Sequence, residues 1–201
     1  MNDAKLPKSA HTDRPWRIHQ IAGDFRLEDV WALPTPGGPD DFHLLVEEFA
    51  KGDPSQRFGG LAKFLWDLRW KLGELFGWDD EGAGVGSRVP TLRDRLPEDL
   101  RSSPGPDFDE LPFTPLYMTE NEMAAETANR TVHGVVHLSW VPDGAGGHRG
   151  QMAVLVKPNG LFGQAYMAAI KPFRYLIVYP KVMREMERTW RERSREPSPA
   201  R

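Results

Sequence analysis

The chain of 201 residues is long enough for one domain with a substantial core, and its 39% hydrophobic and 27% charged residues are ordinary for a folded protein. A formal charge of −3, with acidic and basic residues interspersed, provides no basic stripe for a phosphate backbone, so we expect no nucleic-acid partner. The absence of cysteine excludes disulfides and thiol catalysis and agrees with a reducing, cytoplasmic location.

The two ends of the chain differ in composition from its middle. Residues 1–14 and 195–201 are polar and are predicted to be disordered tails around a single domain, 15–194. The most apolar stretch, 161–183, is interrupted by charges and prolines, among them Lys171 and Arg174. A spanning helix would bury those charges in hydrocarbon, so we expect no membrane span.

The first half of the chain reads as one strand followed by helices. Alternation over 16–21 predicts the first strand, and Asp24 is placed to cap a short helix that reaches Val30. A second helix is predicted from Asp40 or Asp41 to Ala50. Apolar residues at three- and four-residue steps predict a long helix over 54–76. The following stretch, 78–109, reads as loop with one strand near 87–92.

The second half changes to strand patterns. Strands are predicted over 113–119, 122–128, 132–141 and 151–156, and a helical period returns over 160–194 with bends at Pro172 and Pro180. This order of elements predicts an α+β fold with an antiparallel sheet.

Strand pairing predicts an apolar sheet face. A two-residue turn at 129–130 would set Met123 opposite Val136, and the three central strands then present one apolar face that the C-terminal helix covers. We expect a ligand pocket between that sheet face and the helix. Its predicted lining is Met123, Thr127, Val136, Leu138, Trp140, Met152, Val154, Phe162, Tyr166, Ile170 and Phe173.

The same register sets Glu126 opposite His133 and Glu122 opposite His137 on the other face. A metal or acid–base site is one interpretation. Histidines four residues apart on a strand are separated by about 13 Å, which is too far for one ion. We therefore predict no metal site and interpret these residues as two solvent-facing cross-strand pairs.

No local motif indicates catalysis. The sequence has no nucleophile elbow, phosphate-binding loop or zinc-protease motif, so neither catalytic residues nor a cofactor are predicted. Lys171 and Arg174 flank the Pro172 bend, where they would bind an anionic head group or form the solvated side of the helix.

The segment KPNGLFG at 157–163, together with Tyr166 and the pair Pro172–Phe173, resembles a bacterial family of unknown function in the helix-grip superfamily of START-like and polyketide-cyclase-like (SRPBCC) domains. The resemblance implies an antiparallel sheet wrapped around a long C-terminal helix, with helices inserted after the first strand, and a hydrophobic pocket. Members of that family also occur fused behind NAD-binding, short-chain-dehydrogenase-like domains. Since no such domain is recognised in this sequence, an NAD-binding partner would act in trans.

Three functions remain open from sequence. The first is binding of a small hydrophobic or amphipathic molecule, such as a lipid, polyketide or aromatic metabolite. The second is a cyclase- or dehydratase-like enzyme with acid–base groups in the same pocket. The third is a protein–protein module or homodimer that uses exposed aromatic residues such as Trp31, Trp66, Trp70 or Trp78.

Overall fold

The computed structural model describes residues 4–50, 89–108, 111, 113–129 and 131–195. The predicted helix over 54–76, with Trp66 and Trp70, and the residue Trp78 lie outside the described residues.

The fold is α+β and is centred on a five-stranded antiparallel sheet. Its strands are β1 (Arg26–Gly37), β2 (Thr114–Met118), β3 (Glu122–Ala128), β4 (Val132–Pro142) and β5 (His148–Pro158). Their order across the sheet is β1-β5-β4-β3-β2. The predicted strands at 113–119, 122–128, 132–141 and 151–156 are confirmed, and β5 is longer than its apolar centre indicates.

Helices precede, interrupt and follow the strands. They are α1 (Ser9–Thr12), α2 (Ile18–Ile21), α3 (Phe42–Ala50), a 3-10 helix (Leu92–Arg95), α4 (Glu98–Arg101), α5 (Gly160–Phe173), a π-helix (Arg174–Val178) and α6 (Tyr179–Arg193). The second predicted helix and the helical 160–194 segment are confirmed. In the described part of the chain, no helix combines the length and the apolar composition that crossing a membrane requires.

The predictions for residues 16–30 are wrong. Ile18 and Ile21 lie one turn apart on α2 and are both buried, whereas the residues predicted as a short helix belong to β1. The β1–β5 register shifts between Leu27 and Asp29. This bulge changes the strand spacing of apolar residues from two to three, so Leu27 and Val30 mimic a helical pattern.

Two loop predictions also need correction. Residues 4–14, predicted as part of a disordered tail, contain α1 and the buried His11, which is 1% exposed. The strand predicted near 87–92 lies partly outside the described residues, and Leu92 at its end begins the 3-10 helix, where the Thr91 side chain accepts a hydrogen bond from Arg93 N at 3.1 Å.

The β3–β4 register differs from the predicted one by two residues. Met123 faces Leu138, because the connection is longer than two residues and the Asn129 side chain accepts hydrogen bonds from the Thr131 and Val132 amides at 2.8 and 3.0 Å. A shift of two preserves which side chains share a face, since the strand period is two. The predicted membership of the apolar face is therefore confirmed.

The sheet is covered on both sides. One side, the helix face, packs Trp31, Leu33, Met123, Leu138, Trp140 and Met152 against α3 and against Tyr179, Met186 and Trp190 of α6. The other side, the N-terminal face, packs against residues 16–25 and against leucines at 92, 96 and 100. Trp31, predicted to lie on an exposed aromatic surface, is only 6% exposed and stacks on Tyr179 with ring centroids 4.4 Å apart.

Candidate functional site

One row of the helix face is less covered than its neighbour. Register aligns Asp29, Val154, Val136 and Ala125 across four strands. Val136 and Val154 are half-buried, whereas the adjacent row, Trp31, Met152, Leu138 and Met123, is buried beneath α6. Val136 and Val154 therefore form a half-covered apolar strip between the buried Ala125 and the buried Asp29.

Asp29 is 1% exposed and is held by four side chains, which together with it we call the Asp29 corner. Oδ2 accepts hydrogen bonds from Arg174 Nη2 at 2.7 Å and from Tyr179 Oη at 2.9 Å. Oδ1 accepts one from Tyr175 Oη and lies 3.7 Å from Lys5 Nζ. Lys5 in turn donates to Tyr175 Oη at 2.8 Å, and Arg174 Nη2 also donates to Tyr179 Oη. Every partner thus contacts at least one other partner.

Three separate segments build this corner. The β1 bulge returns Asp29 to the helix face after Leu27 has packed toward the other side. Pro172 lacks an amide hydrogen, and the chain widens into the π-helix two residues later, where Arg174 and Tyr175 lie. Residues 4–6 run along β1, with Lys5 paired to Trp31 and Leu6 N donating to Val30 O at 2.9 Å.

The corner carries one unit of positive charge in excess, because two cations share one carboxylate. The Arg174 side chain is 14% exposed and that of Lys5 is 45% exposed, so both cations reach solvent while the carboxylate does not. Burial raises the pKa of Tyr179 well above its ordinary value, so its hydroxyl stays protonated and donates. Burial also raises the pKa of Tyr166, against an opposing effect of nearby Arg174.

The structure distributes the predicted pocket residues between buried and half-buried positions. Met123, Leu138, Trp140 and Met152 are buried in the cluster beneath α6. Thr127, Val136, Val154, Tyr166 and Ile170 are half-buried, and the side chains of Phe162 and Phe173 lie outside the described part. Tyr179, Met186 and Trp190 of α6 provide buried cover for this face, and Ile177 is 46% exposed.

Sequence reasoning missed most of the Asp29 corner. It placed Asp29 in a helix, left Lys5 in a tail and did not single out Tyr175 or Tyr179. Arg174 was a candidate for an anionic group, and the structure brings it to Asp29 instead. The signal that could have found the corner is the spacing of Arg174 and Tyr179 after Pro172, since a widened helical turn sets residues five apart on one side.

The Glu–His pairs lie on the N-terminal face, as predicted, but they are buried and not solvent-facing. His133 Nε2 lies 2.7 Å from Glu126 Oε2, and His137 Nε2 lies 2.8 Å from Glu122 Oε2. Glu126 and His137 are both 0% exposed. The correction arises because α2 and the 90–100 segment, both distant in sequence, cover this face.

Each glutamate on this face has further hydrogen-bond donors. Glu122 accepts from Tyr117 Oη at 2.9 Å and from the Arg17 amide at 3.0 and 3.2 Å. Hydrogen bonds from His137, Arg17 and Tyr117 lower the pKa of Glu122 against the opposing effect of burial, which is the largest single cause. Glu126 accepts from Leu92 N at 3.0 Å and from the Thr91 hydroxyl, and its pKa is likewise lowered.

Histidine continues the Glu122 cluster toward the surface. His137 Nδ1 lies 3.1 Å from His11 Nε2, and His11 Nδ1 lies 3.1 Å from His19 Nε2. We call His137, His11 and His19 the histidine chain. Within the described residues, no three histidine or carboxylate side chains are grouped to hold a metal ion.

The fold and these clusters define an α+β protein with two polar clusters on opposite sheet faces. The model of the family described as Protein of unknown function (DUF2867) matches residues 21–181, so the chain belongs to that family. Comparison with curated proteins and with solved structures gives no match.

Proposed function

We propose that this protein binds a small amphipathic molecule, with its apolar part on the strip formed by Val136 and Val154 and its polar head at the Asp29 corner. The observation that carries the proposal is the half-buried apolar row that ends at a buried carboxylate shared by two cations and two tyrosines. Binding sites for such ligands combine an apolar lining with a few convergent polar groups.

The charge of the corner favours an anionic head. Lys5 and Arg174 together exceed the charge of Asp29 by one, and a guanidinium recognises carboxylate, sulfonate or phosphate oxygens through paired N–H donors. Both cations are partly exposed, so an incoming anion would reach them without first displacing Asp29.

A purely structural role explains the corner less well. Replacing a buried ion pair by packed apolar residues is often neutral or stabilising, so stability alone does not account for an aspartate in this row. The acid–base candidates Glu122, Glu126, His133 and His137 lie on the opposite face of the sheet. This separation supports binding over catalysis by those groups on the helix face.

We also propose that the fold belongs to the helix-grip superfamily and that the protein works in the cytoplasm. A five-stranded antiparallel sheet with a long C-terminal helix on one face supports the first proposal. The cysteine-free sequence supports the second.

The test uses three ten-carbon probes that share an alkyl tail: decanesulfonate, decanol and decyltrimethylammonium. Isothermal titration calorimetry and native mass spectrometry would measure binding. We expect decanesulfonate to bind most tightly, and Arg174→Gln to weaken it at least 10-fold while leaving decanol unchanged. The control is Arg184→Gln, since Arg184 is exposed on α6.

The apolar strip is tested separately. Val154→Trp should fill the strip and weaken decanol and decanesulfonate alike, whereas Leu161→Trp, at a position 83% exposed on α5, should change neither. Equal affinity of all three probes, or identical behaviour of Val154→Trp and Leu161→Trp in folded protein, would refute the proposal.

A further inference from the structure

The N-terminal strap, residues 4–12, passes around the edge strand and links the two polar clusters. Lys5 lies at the Asp29 corner on the helix face. His11, on α1, enters the histidine chain on the N-terminal face. Between them, Ala10 O accepts a hydrogen bond from Gln151 Nε2 at 3.3 Å. The strap is therefore anchored at both ends by polar contacts.

The histidine chain is complete when every imidazole is neutral. If each Nε2 carries hydrogen, His19 donates to His11, His11 to His137, and His137 to Glu122, and each inner Nδ1 accepts. His19 is half-buried, and its outer Nδ1 is the end of the histidine chain nearest solvent. This arrangement leaves each inner nitrogen with one partner.

Added protons are costly inside this chain. One proton taken up at His19 can pass inward by exchange along the hydrogen bonds, but the charge then rests on a buried ring. A second proton sets two N–H groups against each other, which breaks a hydrogen bond. Burial, together with the neighbouring His137 and His19, lowers the pKa of His11 from its ordinary 6.5 to about 3. Burial and His137 lower the pKa of His19, and Glu122 opposes that shift.

Few other charged groups face the chain. Glu122 of β3 is its inner acceptor, and Tyr117 of β2 donates to that carboxylate. Arg17, which follows α1, pairs at the surface with Asp99 of α4 at 2.8 Å. From β5 the facing group is the neutral amide of Gln151. Glu122 is thus the one carboxylate that contacts the chain within the described residues.

We propose that the histidine chain is an acid-sensitive anchor of the N-terminal strap, and that acidification releases Lys5 from the Asp29 corner. The consequence for ligand affinity rests on the proposed function, whereas release of the strap does not. Acid thus removes one of the two cations that an anionic ligand would contact.

The direction of the pH effect on strap docking follows from proton binding. A histidine whose pKa is lower when docked binds protons preferentially when released, so docking is fully favoured above pH 6.5 and is lost as pH falls. The lowered pKa of Glu122 acts in the same direction at lower pH. For His11 alone, a change from 6.5 to about 3 shifts the docking equilibrium about 30-fold toward release at pH 5.

A single dye would report the strap. Because the chain has no cysteine, Ser9→Cys, at an exposed position of the strap, accepts one fluorophore. We expect its anisotropy to fall between pH 7.5 and pH 5 while far-ultraviolet circular dichroism is retained. His11→Gln should reduce this change, and His43→Gln, an exposed histidine on α3, should not.

Further variants keep the test decisive. If His11→Gln is already released at pH 7.5, His11 holds the strap, and His19→Gln then tests titration because it leaves the His11–His137 contact intact. A smaller pH response in His19→Gln supports the proposal. An unchanged response there assigns the titration to His11, whereas constant wild-type anisotropy over this range, or a full wild-type pH response in His11→Gln, overturns the proposal.

The ligand arm uses decanesulfonate, since a sulfonate keeps its charge at both pH values. We expect weaker binding at pH 5 than at pH 7.5 in the wild type and a smaller difference in Lys5→Gln. If the strap is released but decanesulfonate never binds, the proposed function fails and the anchor stands. If decanesulfonate binds equally at both pH values, the link between strap and ligand fails.

Discussion

The two faces of the sheet each bury a carboxylate, but they satisfy it with different partners. On the N-terminal face, Glu122 accepts from the His137 imidazole, the Tyr117 hydroxyl and the Arg17 backbone amide. On the helix face, Asp29 is held mainly by the cations of Arg174 and Lys5 and by two tyrosines. A phenol and a backbone amide avoid the desolvation cost of a second ion and suit a sealed interior, whereas partly exposed cations suit a cluster that meets solvent.

Removing Glu122 would break the sealed cluster and should have the largest effect. Glu122→Ala leaves the His137 ring, the Tyr117 hydroxyl and the Arg17 amide without their acceptor in a buried site. We expect the free energy of unfolding to fall by about 3 kcal/mol or more.

Urea denaturation followed by tryptophan fluorescence measures this loss. The matched control is Glu187→Ala on the exposed side of α6, where a surface pair with Arg191 should contribute less than about 0.5 kcal/mol. Similar losses in the two variants would mean that the Glu122 cluster is not sealed.

Gly163 and Gly134 lie at a tightly packed and a loosely packed position near the helix face, respectively. A Cβ at Gly163 would lie 2.1 Å from the Thr131 carbonyl oxygen, so Gly163→Ala must displace the start of α5. A Cβ at Gly134, on the less covered part of the sheet, would lie 3.7 Å from the nearest atom, which is ordinary contact.

We therefore expect Gly163→Ala to cost about 2 kcal/mol and Gly134→Ala to change stability by less than about 0.5 kcal/mol. Thermal unfolding followed by circular dichroism would compare the two variants. A large loss in Gly134→Ala would show that the half-covered row is as tightly packed as the row beneath α6.

The central strands could be predicted from sequence because their alternation is local. Residues 122–128 and 132–141 carry apolar side chains every second position, and the register difference of two left the faces unchanged. The first strand could not be predicted, because the bulge between Leu27 and Asp29 gives its apolar residues a three-residue spacing.

The polar clusters were predictable only in part. The spacing of residues on β3 and β4 was enough to predict which glutamate pairs with which histidine, because such pairs depend only on the hairpin that joins the two strands. Their burial depends on segments that lie more than 20 residues away in the chain, and no local pattern reports that cover. The contacts of Asp29 with Arg174 and Tyr179 join residues about 150 positions apart and require a π-helix that periodicity does not reveal.

Neutralising Asp29 should cost less stability than removing Glu122, because the helix-face cluster can rehydrate where the N-terminal face cannot. Asp29→Asn removes the negative charge but keeps an acceptor oxygen for Arg174 and Tyr179. Since the side chains of Lys5 and Arg174 are 45% and 14% exposed, we expect a stability loss of only about 1 kcal/mol. The corner then carries two uncompensated cations, so decanesulfonate should bind roughly 10-fold more tightly while decanol is unchanged.

Calorimetry on Asp29→Asn measures this change in affinity, and Asp40→Asn, at an exposed position before α3, is the control. Weaker sulfonate binding in Asp29→Asn would mean that Asp29 orients the cations for the ligand and does not compete with it.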